Sequence, residues 1–265
     1  MPLETAMDKR VCALIPAAGR GTRLGLSVPK LLAPIDESTT VWTILRRKLL
    51  ASADSIHLVV APEWAPTFRT LLANDVEAAR LSVSVQDEPR GMGDAIFGAS
   101  PHWENAQTLL VVWGDQVHIS EVTLQRALLR HKEPGRYRCT IPTVFVDQPY
   151  VQYVFDENDR MIEIRETREG AVCDQRGYSD AGTFVLDVDG LVPAWRAYRE
   201  QKATGAKTGE VNFLPFLPYL GRNGWQITRV PVEDPVEARG INHLEDLEFF
   251  QKLYGGNAGV KTVTQ

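Results

Sequence analysis

The sequence predicts an α/β fold, in which a mostly parallel sheet is covered by helices on both faces. Over the first half of the 265-residue chain, apolar runs of strand length alternate with helically spaced segments. Such alternation is typical of parallel sheets, because each crossover helix packs back onto the sheet. The second half, from about residue 141, is richer in strands that favour antiparallel pairing. The length suits one domain, expected over 1–255, with a disordered tail at 256–265.

The first half predicts four strands and four helices in alternation. Residues 11–18, VCALIPAA, are a continuous apolar run that predicts the first strand. Ser120 is the expected N-cap of the fourth helix, because its hydroxyl can accept from a free amide of the first turn. The other elements predicted in this half are, in order, a helix at 41–52, a strand at 57–61, a helix at 64–79, a strand at 82–86, a helix at 91–100, a strand at 109–116 and a helix at 120–132.

The second half has a different pattern. DENDR at 156–160 predicts a turn between two strands, since its residues are polar and turn-forming. Prolines within 211–220 predict an irregular helix. The strands expected here are 137–146, 150–155, 161–167, 183–188 and 225–232, and the helices are 189–200, 211–220 and 243–254.

Composition excludes several classes of protein. The chain carries 29 basic and 34 acidic residues, a net charge of −5, and a general nucleic-acid binder would carry a basic excess. Its longest apolar runs are well short of the roughly 20 residues that cross a bilayer. The three cysteines are far apart and form neither a disulfide framework nor a zinc cluster. We therefore expect a cytoplasmic protein that binds neither nucleic acid nor membrane.

A glycine-rich loop follows the first strand. It reads AAGRGTRLG, and a Pro-Lys pair follows at 29–30. Glycines let backbone amides approach phosphate oxygens, and Arg20, Arg23 and Lys30 would add charge-assisted hydrogen bonds to a polyphosphate. The spacing G-x-G-x-x-x-G matches neither the dinucleotide fingerprint nor the Walker loop. Taken alone, the loop could also be an ordinary flexible turn.

Several segments together resemble the nucleotidyltransferases that activate sugar phosphates, such as N-acetylglucosamine-1-phosphate uridylyltransferase and glucose-1-phosphate uridylyl- and thymidylyltransferases. The loop A-A-G-R-G-T-R-L with its Pro-Lys pair matches the signature of that family at every fixed position. The resemblance extends over residues 11 to about 250. Further segments resemble family motifs in the family's order, namely QDEPRGMGDAI (86–96), LLVVWGDQ (109–116), MIEIRE (161–166), SDAGTFVLD (179–187) and ARGINHLEDLE (238–248).

This resemblance implies a Rossmann-like, glycosyltransferase-A-type mixed sheet flanked by helices. It implies a nucleotide-binding half at about 11–140 and an acceptor-binding half at about 141–255. Alone, Asp115 could cap a turn and Asn242 a helix, whereas the resemblance implies that both bind Mg²⁺. The other implied site residues are Arg23 and Lys30 for catalysis, Ala17, Ala18, Gly19, Gly21, Thr22, Gln86, Gly91, Gly93 and Asp94 for the nucleotide, and Glu163, Asp180 and Gly182 for the acceptor.

The implied activity is Mg²⁺-dependent transfer of a nucleotidyl group from an NTP, with UTP the first expectation, to a sugar 1-phosphate. Asp180 stands where many members have asparagine, which affects the expected acceptor. Alternatives are a cytidylyl- or guanylyltransferase acting on a phosphorylated alcohol, a glycosyltransferase that shares the sheet, and a non-catalytic nucleotide-binding regulator. The expected partners are an NTP and a phosphorylated small molecule, and the oligomeric state is left open.

Overall fold

The structure is a computed structural model that describes residues 10–19, 24–133, 137–201 and 204–255. Ten strands of this part form one sheet. Their bounds are β1 (Val11–Ala17), β2 (Ser55–Val60), β3 (Leu81–Val85), β4 (Thr108–Val112), β5 (Cys139–Asp147), β6 (Val151–Phe155), β7 (Met161–Glu166), β8 (Arg176–Asp180), β9 (Thr183–Asp187) and β10 (Ile227–Pro231).

The sheet is mixed, as predicted. Its strand order is β3-β2-β1-β4-β9-β5-β8-β6-β7, and β10 pairs with β5. The first four strands in this order are parallel to one another. β9 is antiparallel to β4, and β5, β6, β7 and β8 are antiparallel to their neighbours in this order, whereas β10 is parallel to β5. The parallel order of the first half confirms the expected alternation of strands and crossover helices.

Helices cover both faces of the sheet. They are α1 (Val41–Leu50), α2 (Ala65–Ala73), α3 (Met92–Gly98), α4 (Ser100–Trp103), α5 (Glu121–His131), α6 (Leu191–Gln201), α7 (Phe216–Arg222) and α8 (Leu244–Gly255). The predicted N-cap of α5 is confirmed, since Thr123 N donates to Ser120 Oγ at 3.0 Å. Within the described ranges, no helix is both long and apolar enough to span a bilayer.

Two apolar cores flank the sheet, because successive side chains of a strand point to opposite faces. On β1, Ala13 and Ile15 join the core beneath α1, α2, α5 and α8. Cys12 and Leu14 join the core beneath α3, α4, α6 and α7. Full burial of one such large aliphatic side chain contributes about 1.5–3 kcal/mol. The continuous apolar run at 11–18 is thus explained by a strand that is buried on both faces.

Two helix predictions were wrong, and one strand was missed. α2 ends at Ala73 rather than residue 79, and Asp75 after it binds the Arg46 guanidinium of α1. The helix expected at 211–220 begins only at Phe216, because the backbone of Val211 instead bonds to the loop before α3. β8 was not predicted, since its sequence RGYSD lacks an apolar run.

Candidate active site

Three side chains from distant parts of the chain converge at the carboxyl ends of β1 and β4. Lys30 Nζ lies 3.4 Å from Asp115 Oδ2 and 3.1 Å from Asn242 Oδ1. Asp115 follows β4 by three residues, Lys30 opens the 3-10 turn that anchors the buried Leu31, and Asn242 precedes α8. The structure therefore brings together both predicted metal ligands and one predicted catalytic residue.

Backbone hydrogen bonds hold the Asn242 segment against Asp115. Ile241 N donates to the Asp115 carbonyl at 2.9 Å. Asn242 N and His243 N donate to Asp246 Oδ2 at 3.0 and 2.9 Å. Burial opposes ionisation of Asp246, but these bonds outweigh it and lower the pKa of its carboxyl. The ionised Asp246 carboxylate thus holds the backbone N–H groups of Asn242 and His243 in place before α8.

The chemistry of the two oxygens suits a hard divalent cation. One carboxylate oxygen, of Asp115, and one amide oxygen, of Asn242, already face a single positive charge, the Lys30 ammonium. Mg²⁺ prefers oxygen ligands, and it is usually held by one or two protein groups plus substrate phosphates and water. The described residues contain no cluster of three His, Cys, Asp or Glu side chains that could hold a metal without such outside ligands.

The glycine loop begins at the same edge of the sheet. Ala17 ends β1, Ala18 is buried, and Gly19 is exposed. No described atom would come within 4 Å of a Cβ added to Gly19, so no described residue covers this side of its backbone. The predicted roles of Gly21, Thr22 and Arg23 concern residues outside the described ranges.

A second cluster contains the predicted base-recognition residues. Gln86 directly follows β3, and Asp94 lies in the first turn of α3. Gln86 Nε2 donates to Asp94 Oδ2 at 2.8 Å and to the Gly91 carbonyl at 3.2 Å. An open cavity of about 390 Å³ lies beside Gln86 and Asp94.

Gly91 and Gly93 have a packing role that the sequence did not reveal. Gly91 has a φ of 116°, and a Cβ there would lie 2.8 Å from the backbone of Val211. Gly93 N donates to the Val211 carbonyl at 2.8 Å, and a Cβ on Gly93 would lie 2.5 Å from the Trp195 ring. Both glycines therefore permit close approach of this loop to the segment before α7. Their contact with a nucleotide stays a prediction.

Asp180 and Gly182 lie beside the Asp115 cluster, where β8 leads into β9. Tyr153 Oη donates to Asp180 Oδ2 at 2.9 Å, and Gly182 N donates to Asp180 Oδ1 at 2.7 Å. Burial raises the pKa of Asp180 despite these bonds, and the negative charge of Asp115 acts in the same direction. Gly182, at a φ of 65°, packs so closely on Gln116 that a Cβ would lie 2.1 Å from Gln116 Cγ.

Gln116 is a candidate that the sequence analysis missed. Its side chain is only 7% exposed, yet its Oε1 receives no hydrogen bond within the part of the chain that the structure describes. It lies between Gly182 and Gly240, next to Asp115. A buried acceptor without a donor is costly, so this oxygen is suited to accept a hydrogen bond from a ligand. Its position directly after the Gly-Asp pair was the signal in the sequence.

A bulge on β7 changes which glutamate faces Asp180. Strict alternation would put Glu163 on the same side as the buried Met161. However, the pairing of β6 with β7 shifts register between Val154 and Phe155, opposite residues 161–163. Glu163 is consequently exposed and paired with Arg165, at 3.0 Å.

Beyond the bulge, Glu166 shares the face of Tyr153 and Asp180. Tyr153 pairs with Ile164, and Glu166 lies two residues further along the same strand. Glu166 is 4% exposed, and burial raises its pKa although Arg168 binds it at 3.2 Å. The acceptor role of Glu163 remains a prediction, and Glu166 is the β7 carboxylate on the Asp180 face.

Comparison with known proteins gives one family match and similar relatives. Residues 13–171 match the MobA-like NTP transferase domain family. The chain is 28% identical over 256 residues to the bifunctional protein GlmU of Pseudomonas fluorescens, a match that covers 95% of this chain and 53% of that protein. It is 25% identical over 236 residues to the bifunctional protein GlmU of Carboxydothermus hydrogenoformans, covering 86% of this chain and 49% of that protein. The chain thus spans about half the length of these relatives.

Proposed function

The chain belongs to the MobA-like NTP transferase domain family and is a nucleotidyltransferase, and on this premise we propose that it transfers a uridylyl group from UTP to a sugar 1-phosphate. The products are pyrophosphate and a nucleotide sugar. The observation that carries the proposal is the convergence of Lys30, Asp115 and Asn242 beside the glycine loop. Similarity to two GlmU proteins and the resemblance to sugar-phosphate uridylyltransferases support the choice of substrates.

The reaction exchanges one phosphoanhydride bond for another. An oxygen of the acceptor phosphate attacks the α-phosphorus of UTP, and the bond from that phosphorus to the bridging oxygen of pyrophosphate breaks. The leaving pyrophosphate carries the electron pair away, so no side chain has to serve as a nucleophile. The protein must hold two repelling anions in line and balance the charge that develops.

Lys30, Asp115 and Asn242 provide that balance. Asp115 and Asn242 would hold Mg²⁺, which as a Lewis acid draws charge from the phosphate oxygens. The Lys30 ammonium contacts the same two oxygens. Because a divalent cation would compete for these lone pairs, Lys30 is free to bond a phosphate oxygen when the cation binds. Backbone amides from Gly19 onward would contribute further donors to the triphosphate.

The acceptor would lie on the face defined by Tyr153, Asp180 and Glu166. These polar groups offer oxygens to sugar hydroxyls, and Gln116 Oε1 adds a buried acceptor next to Asp115. The unmatched Gln116 Oε1 favours an acceptor with hydroxyl groups that can donate to it, since an unmatched buried oxygen is costly. Asp180 in place of asparagine, with its pKa raised by burial, is a further means of acceptor selection.

The test is pyrophosphate release, coupled to pyrophosphatase so that the near-balanced reaction runs forward. Each ribonucleoside triphosphate and dTTP is paired with a panel of sugar 1-phosphates and phosphorylated alcohols. We expect UTP with a sugar 1-phosphate to be the best pair. Asp115→Asn should lower kcat by about 100-fold or more, since Lewis-acid catalysis contributes several kcal/mol. Asp147→Asn, at an exposed ion pair with Arg176, is the matched control.

Two outcomes would contradict the proposal. If pyrophosphate is released only with phosphorylated alcohols, the acceptor is a phosphorylated alcohol and not a sugar 1-phosphate. Equal activity of the Asp115→Asn and Asp147→Asn variants would remove Asp115 from the site. Binding of Mn²⁺, followed by water-proton relaxation, gives a readout independent of turnover, and it should weaken in Asp115→Asn alone.

A further inference from the structure

The amide of Gln86 lies between two groups that can only accept hydrogen bonds. Its Nε2 is 2.8 Å from the Asp94 carboxylate and 3.2 Å from the Gly91 carbonyl. A backbone carbonyl never donates, and neither does an ionised carboxylate. Both neighbours therefore require the NH₂ group on their side. A flipped amide would place Oε1 against two acceptors, so the orientation is fixed by chemistry.

The other end of the amide is available to a ligand. No residue of the described ranges donates to Gln86 Oε1. The side chain is partly buried beside the open cavity, and Gln86 N is anchored to the Val60 carbonyl at 2.9 Å. Gln86 thus presents an acceptor, and its donor hydrogens are already used.

The groups that fix the amide are themselves held in place. The Gly91 carbonyl also accepts from Ala95 N at 3.1 Å, which ties it to the first turn of α3. Gly93 N bonds the Val211 carbonyl, and Val211 N bonds the Arg90 carbonyl at 2.6 Å. The first turn of α3, which carries Asp94, is consequently held on both sides, so the carboxylate can fix the orientation of the amide.

Resting on the proposed function, we infer that Asp94 is a positioning residue that fixes Gln86 as an acceptor and so selects a base whose facing ring nitrogen carries a hydrogen. Uracil offers N3–H at this position, whereas cytosine offers a lone pair there. A lone pair facing Gln86 Oε1 would leave two acceptors opposed and unpaired. The polar contact Asp94–Gln86 thereby becomes a determinant of UTP over CTP, without Asp94 touching the base.

The decisive variant is Asp94→Asn, which is isosteric but can donate as well as accept. With asparagine at 94, Nδ2 of the new residue can donate to Oε1 of a flipped Gln86 amide. Only the longer contact, with the Gly91 carbonyl at 3.2 Å, then opposes the flip. Gln86 could then donate to N3 of cytosine. Asp87→Asn is the matched control, because Asp87 is exposed, carries the same charge and makes no hydrogen bond to Gln86 in the described contacts.

The experiment measures kcat/KM for UTP and CTP in the wild type and both variants, with the best acceptor. Calorimetry of the two nucleotides with Mg²⁺ gives the ratio of Kd values, and thermal unfolding confirms that each variant is folded. We expect the wild type to prefer UTP. The preference should fall by about ten-fold or more in Asp94→Asn, as expected when a hydrogen-bond mismatch is relieved, and should not change in Asp87→Asn.

The inference would be overturned if the ratio of kcat/KM for UTP to kcat/KM for CTP in Asp94→Asn stayed within two-fold of the wild-type ratio. This holds even if both kcat/KM values fall, because a merely structural role of Asp94 would lower them in parallel. A wild-type preference for CTP would overturn both this inference and the choice of UTP in the proposed function. The proposed function fails separately, when the wild type turns over no nucleotide. In that case the ratio of Kd values still decides the role of Asp94, and absence of binding to both nucleotides would end both proposals.

Discussion

Acidification is expected to destabilise the protein through His57, at the centre of β2. Its ring is fully buried, with Nδ1 2.7 Å from Ser82 Oγ and Nε2 2.8 Å from Ser84 Oγ. The ring also stacks on His102, with centroids 4.1 Å apart. Burial, aided by the charge of His102, lowers the pKa of His57 to about 3.

The magnitude follows from linkage between protonation and unfolding. In the unfolded chain the pKa of a histidine is about 6.5, so between pH 6.5 and pH 3 the unfolded state binds a proton that folded His57 does not. The contribution of His57 to the free energy of unfolding is therefore fully present above pH 6.5, and it decreases as the pH falls towards 3. At 1.36 kcal/mol for each pH unit, the loss between pH 7 and pH 5 is about 2 kcal/mol from this residue.

Urea unfolding at pH 7 and pH 5 measures this loss, with His57→Asn as the test and His243→Gln, at an exposed position, as the control. The test variant is expected to be less stable than the wild type at pH 7, because its ring packing is removed. Its stability should nevertheless change by about 2 kcal/mol less between the two pH values. An unchanged pH dependence in His57→Asn would refute the reasoning.

Three further predictions concern the candidate site. Gly182→Ala should destabilise the fold by at least about 1–2 kcal/mol in urea unfolding, because φ is 65° and the new Cβ would overlap Gln116; an unchanged midpoint would contradict this. Glu166→Gln should raise the KM of the acceptor more than Glu163→Gln does, and the reverse order would favour the exposed glutamate. Lys30→Met should lower kcat yet tighten Mn²⁺ binding to the nucleotide-free enzyme, because its ammonium no longer contacts the two ligand oxygens; weaker binding would argue against that competition.

The parallel half of the fold could be predicted because its strands are buried on both faces. β1 and β4 are therefore continuous apolar runs, a pattern that excludes a strand with one face exposed to solvent. β8 escaped prediction because its residues Arg176–Asp180 pair within the sheet while most of their side chains remain partly or fully exposed. A strand of that kind is specified by its neighbours and not by its own hydrophobicity.

The sequence predicted candidate site residues but not the contacts between them. The order of motifs selected Asp115 and Asn242 as candidates, and the fold brings both into contact with the Lys30 ammonium. The sequence could not show that Glu166, and not Glu163, lies on the buried face of β7. The difference arises from a bulge, and a register shift depends on the partner strand. Nor could the sequence show the bond between Gln86 and Asp94, because these residues lie eight positions apart, one directly after β3 and the other in α3.

The strand order explains how one edge of the sheet can hold all the components of the reaction. Neighbouring strands lie about 4.8 Å apart, so the three steps from β4 through β1 and β2 to β3 separate Asp115 from Gln86 by roughly 14 Å. A nucleoside triphosphate laid along this edge would have its base at Gln86 and its α-phosphate near Asp115.

On the other side of β4 the sheet changes direction. Because β9 is antiparallel, its first residue, Thr183, pairs with Val112, the last residue of β4. The Asp180–Gly182 turn is thereby placed at the same edge, one strand beyond Asp115. A parallel β9 would have put that turn at the opposite edge, so the antiparallel strand is what brings the turn to the edge at which we propose that the acceptor phosphate meets the nucleotide.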